Sequence, residues 1–193
     1  SHGSSMAHCL IEYGGWFSAS GRPMIELIDS DVSFASCTIR HSDRQGLYLT
    51  RSVADISQTS FQGNHGYPMS IDTHSFPSLE RLTADGSIEI RGGQTTESGT
   101  WENGGIPFTI TDDVTIGSEA IIDIEEGTTI QFQDGDDNLI VNGTLQALGT
   151  QDAPITFTSD NSSKRPGNWQ SIRFLNSHGS SMAHCLIEYG GWF

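Results

Sequence analysis

An all-β solenoid is the fold class this sequence predicts, on three observations. Short strands of the pattern apolar–x–apolar recur at a fixed interval: Leu27, Leu49 and Ile71 are spaced 22 and 22, and Cys37-Thr-Ile39 is followed by Thr59-Ser-Phe61 after another 22. Polar turn residues separate the strands, and no stretch sustains a 3.6-residue apolar period, so helix content is expected to be low. Residues 1–17, SHGSSMAHCLIEYGGWF, return letter for letter as residues 177–193, an offset of 176, or eight times 22. Self-similarity at periods of 20–50 residues is the signature of stacked repeats.

Along the chain, Met24-Ile-Glu-Leu27, Leu47-Tyr-Leu49 and Met69-Ser-Ile71 form one series, with Asp29-Ser30 and Arg51-Ser52 following at the same offset. Val114-Thr-Ile116, Ile122-Asp-Ile124, Ile130-Gln-Phe132, Leu139-Ile-Val141, Ile155-Thr-Phe157 and Ile172-Arg-Phe174 continue the pattern. In each, two apolar residues flank one outward residue, the period of a half-buried strand. Gly117-Ser118, Glu126-Gly127 and Asn142-Gly143 punctuate them as turns. One such coil cannot bury its own apolar face. Stacking coils at ~4.8 Å lines equivalent side chains into interior ladders. Cys9, Cys37 and Thr59 are expected to form one ladder, and Ile11, Ile39 and Phe61 its neighbour. A sandwich or barrel also gives many short strands, but the register-preserving interval favours the solenoid.

Composition excludes several classes. At 35% hydrophobic and 17% charged residues the chain is neither a disordered polyelectrolyte nor a coiled coil. No apolar run is long enough for a membrane-spanning helix, so no membrane insertion is expected in this segment. The formal net charge is −15, and residues 77–137 hold 14 acids against 2 bases. Such a chain repels nucleic acid and anionic surfaces. Three cysteines occur, of which Cys185 repeats Cys9; with no CxxC this is no disulfide framework. Cys9 and Cys37 read as stacked buried thiols rather than a redox pair.

Several longer stretches carry a resemblance. They are Val114-Thr-Ile, Ala120-Ile-Ile-Asp-Ile-Glu-Glu-Gly127-Thr-Thr-Ile-Gln-Phe132, Val141-Asn-Gly-Thr-Leu-Gln-Ala147-Leu-Gly-Thr150 and Pro154-Ile-Thr-Phe-Thr-Ser159. Trp169-Gln-Ser-Ile-Arg-Phe174, Cys185-Leu-Ile-Glu-Tyr-Gly-Gly191, and Thr100-Trp101 followed by Gly105-Ile-Pro107 belong with them. This set resembles the repeat domains of bacterial surface proteins with a right-handed parallel β-helix and a pectin-lyase-like fold. The resemblance implies a right-handed parallel β-helix with coils of about 22 residues. It also implies a tandem-repeat adhesin or filament protein as the parent, secreted to the cell surface or the extracellular space. Residues 1–100 would close one repeat unit and residues 101–193 open the next.

Related β-helices host polysaccharide lyases and hydrolases, so catalysis needs weighing. Polygalacturonase-like sites pair Asp residues with a His-Gly and an Arg-x-Lys on neighbouring coils. Asp112-Asp113 and Asp136-Asp137 are adjacent pairs in turns, and His178-Gly179 has no Arg-x-Lys after it. Neighbouring residues of a strand face opposite ways, and inverting hydrolysis needs two carboxyls across the sugar. The expectation is therefore no enzyme. The turn Asp134-Gly135-Asp136-Asp137-Asn138, with Asp112 and Asp113, offers hard oxygens from which weak Ca2+ binding is expected; no cofactor is required. His8, His41, His65 and His74 show no metal-ligand spacing. Trp16, Trp101 and Trp169 are candidate glycan platforms, with Tyr13, Tyr48 and Tyr67 as further contacts. Isolated Thr-x-Thr pairs such as Thr109-Ile-Thr111 do not build an ice-binding face.

The reading that follows is structural: a segment of a long extracellular fibre, stalk or adhesin made of tandem 176-residue units. Its partners would be adjacent repeats of the same chain, in a homo-oligomer or filament. A carbohydrate-binding adhesive module is the alternative, and a polysaccharide lyase or hydrolase a weaker one.

Overall fold

The computed structural model describes residues 3–16, 21–133 and 135–191. Among them there are strands, turns and bends but no helix, and every strand pair is parallel. The chain is an all-β parallel β-solenoid. It divides into two compact units, residues 1–89 with 104–106, and residues 90–103 with 107–193. Gly93–Thr95 and Gly99–Trp101 stack under Val114–Ile116 and Ile121–Ile124 within the second unit.

In the first unit three sheets recur in turn. Ser4–Ala7, Asp31–Ala35, Val53–Ser57 and Ser78–Glu80 form one; Leu10–Glu12, Thr38–Arg40, Ser60–Gln62 and Thr83–Ala84 form the next. Ile25–Ile28, Leu47–Thr50 and Met69–Ile71 stack in the third. The 22-residue interval becomes register here: Leu27 lies opposite Leu49 and Leu49 opposite Ile71, while Ile11, Ile39 and Phe61 stand in one column. Ile39, Leu49, Ile71 and Phe61 are fully buried.

The second unit repeats the plan. Gly93–Thr95, Val114–Ile116, Asn138–Val141 and Ser171–Phe174 form one sheet, and Gly99–Trp101, Ile121–Ile124, Thr144–Leu148 and Ser181–Ala183 another. Phe108–Ile110, Thr129–Phe132, Ile155–Ser159 and Cys185–Ile187 stack in the third. Its interior columns include Phe108–Ile130–Phe157–Ile187 and Val114–Leu139–Ile172.

Eight equal coils of 22 do not describe the chain. The first coil spans 28 residues, from Ile11 to Ile39. In the second unit the interval is 22 from Phe108 to Ile130, 27 from Ile130 to Phe157, and 33 from Leu139 to Ile172. The extra residues lie in turns, chiefly 160–170, which lengthen a coil without disturbing the strands beside it. Surface turns tolerate insertion because stacking fixes only the strands.

The corners are single residues in the left-handed region. Ser36, Gln58 and Arg81 bend the first unit's strands at φ 53, 50 and 52, and Asp29 and Arg51 make the preceding corner at φ 48 and 45. Each costs a side-chain-bearing residue some backbone strain. Hydrogen bonds to the next coil offset it. The corner N–H of Asp29 donates to Thr50 O at 3.1 Å, and that of Ser36 to Ser57 O at 3.0 Å.

Candidate functional site

Two places could carry function: the outer turns with their acids and aromatics, and the coil that occurs twice. The turns are held by side chains one coil ahead. Ser52 Oγ accepts from Ser30 N at 3.1 Å, Ser75 Oγ from Ser52 N at 3.1 Å, and Thr59 Oγ1 from Cys37 N at 3.4 Å. Asn64 Oδ1 accepts from Ser42 N at 3.0 Å, and Asp85 Oδ2 from Gly63 N at 3.2 Å. Strand ladders cannot reach these corner amides, and a buried N–H left unpaired is costly. Ser52 sits buried within this relay. Ser52→Ala is therefore expected to cost about 1–3 kcal/mol by stranding Ser30 N, read as a lower urea midpoint at unchanged m-value.

Charge follows the same column. Arg51 binds Asp29 through two hydrogen bonds of 2.8 Å, and its backbone N–H donates to Asp72. The hydrogen bond from Arg51 holds the Asp29 carboxyl below the usual carboxylate range, and the same bond raises Arg51. Both groups are open to solvent, so this pair orients the corner more than it stabilises it.

The acids expected to hold Ca2+ have structural partners. Asp112 Oδ1 accepts from Asp113 N at 2.8 Å, and Asp113 Oδ1 accepts both N and Nδ2 of Asn138 at 2.9 Å. Asp136 contributes its backbone carbonyl to Asn138 Nδ2, and Asp137 is buried. Asp134 lies outside the described residues. Among the described residues, no group of three or more His, Cys, Asp or Glu side chains could hold a metal ion. The turn sequence signalled acidity correctly. It did not signal that one carboxylate would be spent fastening the coil above it.

The candidate glycan tryptophans divide. Trp101 and Trp169 are 3% and 1% exposed, so neither offers a ring face to a sugar. Trp101 is an interior column residue opposite Ile124, tilted against Phe108 at 6.4 Å. Trp169 stacks on Phe132, centroids 4.1 Å apart at 4°, with its Nε1–H donating to Glu188 O at 2.8 Å. Ring area of this size is worth more inside than on an outer turn. Trp16, at 71%, and Tyr13, at 75%, are exposed on the opening coil, where Tyr13 stacks on His41 at 5.2 Å. Tyr48 and Tyr67 are half-buried.

The cysteines are free thiols. Cys37 is buried and donates to Met6 O and Ala35 O; Cys9 and Cys185 are half-buried. Cys9, Cys37 and Thr59 each stand one residue ahead of paired strands, and their carbonyls accept from Thr38 N, Ser60 N and Thr83 N. Burial pushes the Cys185 thiol up.

The duplicated segment folds alike in both places. Ser4–Ala7 and Ser181–Ala183 are strands, followed by His8 and His184 in the left-handed region at φ 54 and 48. Leu10–Glu12 and Cys185–Ile187 are strands, followed by Tyr13 and Tyr189 at φ 58 and 63, then Gly15 and Gly191 at φ 77 and 89. The surroundings differ. The first copy pairs with the coil after it, Met6 opposite Phe34 and Ile11 opposite Ile39. The second pairs with the coil before it, Met182 opposite Ala147 and Ile187 opposite Phe157.

No helix among the described residues is long and apolar enough to cross a membrane. No curated protein and no solved structure matches the chain. A family model does, over residues 93–180, a stretch that lies almost wholly in the second unit and runs from Gly93–Thr95 past Ser171–Phe174. The parallel three-sheet coils and interior columns of this stretch are similar to what that model describes, a pectate-lyase-like beta helix domain.

Proposed function

We propose that the chain is a structural segment of a long extracellular or cell-surface fibre, stalk or adhesin built from tandem 176-residue β-helix units, and that it is not an enzyme. One observation carries the reading: the same coil occurs twice, 176 residues apart, in the same conformation, once beneath a later coil and once upon an earlier one. A coil that can be followed by one unit and preceded by another is what a tandem array requires. In such an array stability is a sum of nearest-neighbour terms, so length can grow without a new core. The strong negative charge would keep neighbouring rods apart. Asp85, Asp113 and Glu125 each fasten one coil to another, which suits scaffold better than catalyst.

The catalytic alternative is tested by incubating the chain with polygalacturonate and related acidic and neutral polysaccharides. Neither unsaturated products nor new reducing ends are expected; turnover that survives repurification would overturn the non-enzymatic reading. A glycan-binding role keeps one supporting observation, the exposed Tyr13 and Trp16 on a single coil.

A further inference from the structure

We propose that Asn161 is an N-glycan acceptor in the folded chain, and that the fold withholds the chain's other candidate, Asn142. The inference is independent of the stalk reading and concerns one turn of the second unit.

Two Asn-x-Ser/Thr triplets occur, Asn142-Gly143-Thr144 and Asn161-Ser162-Ser163. This triplet is the acceptor pattern for N-linked sugar, and it belongs on a surface loop. A transferase must seat the asparagine amide together with the hydroxyl two residues on. Both must be reachable, and the backbone between them must be able to leave the surface.

The first triplet fails on each count. Asn142 is half-buried and Gly143 buried, in the corner between Asn138–Val141 and Thr144–Leu148. The amides of Asn142 and Gly143 donate to Ile116 O at 2.9 and 3.1 Å, and that of Thr144 to Ala120 O at 2.9 Å. Ser177 Oγ donates to Gly143 O at 2.6 Å. The hydroxyl a transferase would need, Thr144 Oγ1, donates to His178 O at 3.0 Å. Lifting this corner would break hydrogen bonds to the coils on both sides and leave buried groups unpaired.

The second triplet meets them. Asn161 stands in the long turn, residues 160–170, where the interval from Leu139 to Ile172 widens to 33. Residues 160–166 are all exposed. The turn is pinned at its two ends instead: Asp160 N donates to Phe132 O at 3.0 Å, and Trp169 is buried against Phe132. The bonds of Asn161 stay within the turn. Its N–H donates to Ser159 Oγ at 3.0 Å, and its Oδ1 accepts from Ser163 N at 2.8 Å. The second bond holds the carboxamide by its oxygen and leaves Nδ2, the atom to be modified, on the other side. Ser162 and Ser163 are exposed, so the hydroxyl that completes the triplet is within reach. Because the exposed part of the turn contributes no strand, a bulky sugar there would disturb no ladder.

The step is a glycosyl transfer. Asn161 Nδ2 attacks the anomeric carbon of a hexose carried on a nucleoside diphosphate. A C–N bond forms and the anomeric C–O bond breaks. The nucleoside diphosphate leaves with the bonding pair, and one Nδ2 proton passes to a base of the transferase.

The purified full chain incubated with UDP-glucose and a soluble N-glucosyltransferase specific for the triplet tests this, read by intact mass and by mapping the modified peptide. One hexose per chain, on Asn161, is expected. Asn161→Gln and Ser163→Ala should each abolish it with the β-sheet circular dichroism unchanged; Ser163→Ala keeps the amide that bonds Asn161 and removes only the hydroxyl. A short peptide of residues 138–148 should accept hexose on Asn142, as expected if the fold and not the triplet withholds it. A folded chain that takes no hexose, hexose on Asn142 as fast as on Asn161, or a peptide that refuses it would overturn the assignment. The stalk reading stands under each of these results, because its repeat and its stacking do not use the exposed turn.

Discussion

Phe132→Ala is expected to lose about 3–5 kcal/mol of stability, the ordinary cost of emptying a large aromatic site in a packed interior. Phe132 is fully buried, lies in register between Ile110 and Ser159, and presents a ring face to Trp169 at stacking distance. Trp169 in turn is tied to Glu188 O, and Gly190 approaches the same indole so closely that a Cβ there would meet it at 2.9 Å. Removing the Phe132 ring therefore uncovers the residue on which the last coil rests. Urea unfolding should show the loss, and tryptophan emission should shift to the red at denaturant concentrations where the first unit is still folded. A variant with an unchanged midpoint would mean that the interior column does not bear on the closing coil.

Gly143→Ala is the second large effect, expected at about 3 kcal/mol or more, the upper end of what overpacking costs. Asn142 and Gly143 alone connect Asn138–Val141 to Thr144–Leu148. A Cβ on Gly143 would overlap the carbonyl oxygens of Gly117 and Ala120 in the coil below. Those are backbone atoms, and they cannot swing away as a side chain can. The amides of Gly143 and Thr144 also donate to Ile116 O and Ala120 O, so relieving the overlap would pull two inter-coil hydrogen bonds with it. Thermal melting followed by circular dichroism checks this. Gly179→Ala is the control for chain entropy: its added Cβ would have nothing nearer than Thr144 Oγ1 at 4.0 Å, although its φ of +80 makes alanine strained there for a local reason.

The strands and their columns were legible because period 2 and period 22 act together. Leu27, Leu49 and Ile71 could be aligned from spacing alone, and so could Ile39 and Phe61, since parallel stacking converts a sequence interval into a contact; Ile11 stands 28 residues before Ile39, off that interval. Coil length was not legible in the second unit. A turn such as 160–170 adds residues without adding a strand, and spacing then ceases to report register. Trp101 and Trp169 were misplaced for a related reason. Gly99-Thr-Trp101 has a glycine where the pattern expects an apolar partner, and Trp169 stands just ahead of its strand, so neither is marked as interior by alternation. The partners of the acidic turns were not legible either. Asp112 and Asp113 are neighbours in sequence, yet one bonds the next residue's amide and the other fastens Asn138 on the coil above. What each carboxylate touches depends on the coil stacked over it, and a single coil's sequence does not contain that.

The serine and asparagine caps of the corners lay between these extremes. Ser30 and Ser52 showed the 22-residue offset, but only the stacked coils reveal that the Ser52 hydroxyl accepts from the Ser30 amide and the Ser75 hydroxyl from the Ser52 amide. A corner residue in the left-handed region needs that service, because bending there removes its neighbour from the regular ladder.

If the chain is a segment of a tandem array, as proposed, each 176-residue period joins the next without a flexible hinge. Small-angle X-ray scattering of a chain carrying two covalently joined 176-residue periods tests it most directly. An unchanged cross-sectional radius, with a length that grows by a constant increment from one period to two, is expected. Two compact bodies at a variable separation, with scattering that fits a flexible pair rather than a single rod, would contradict it.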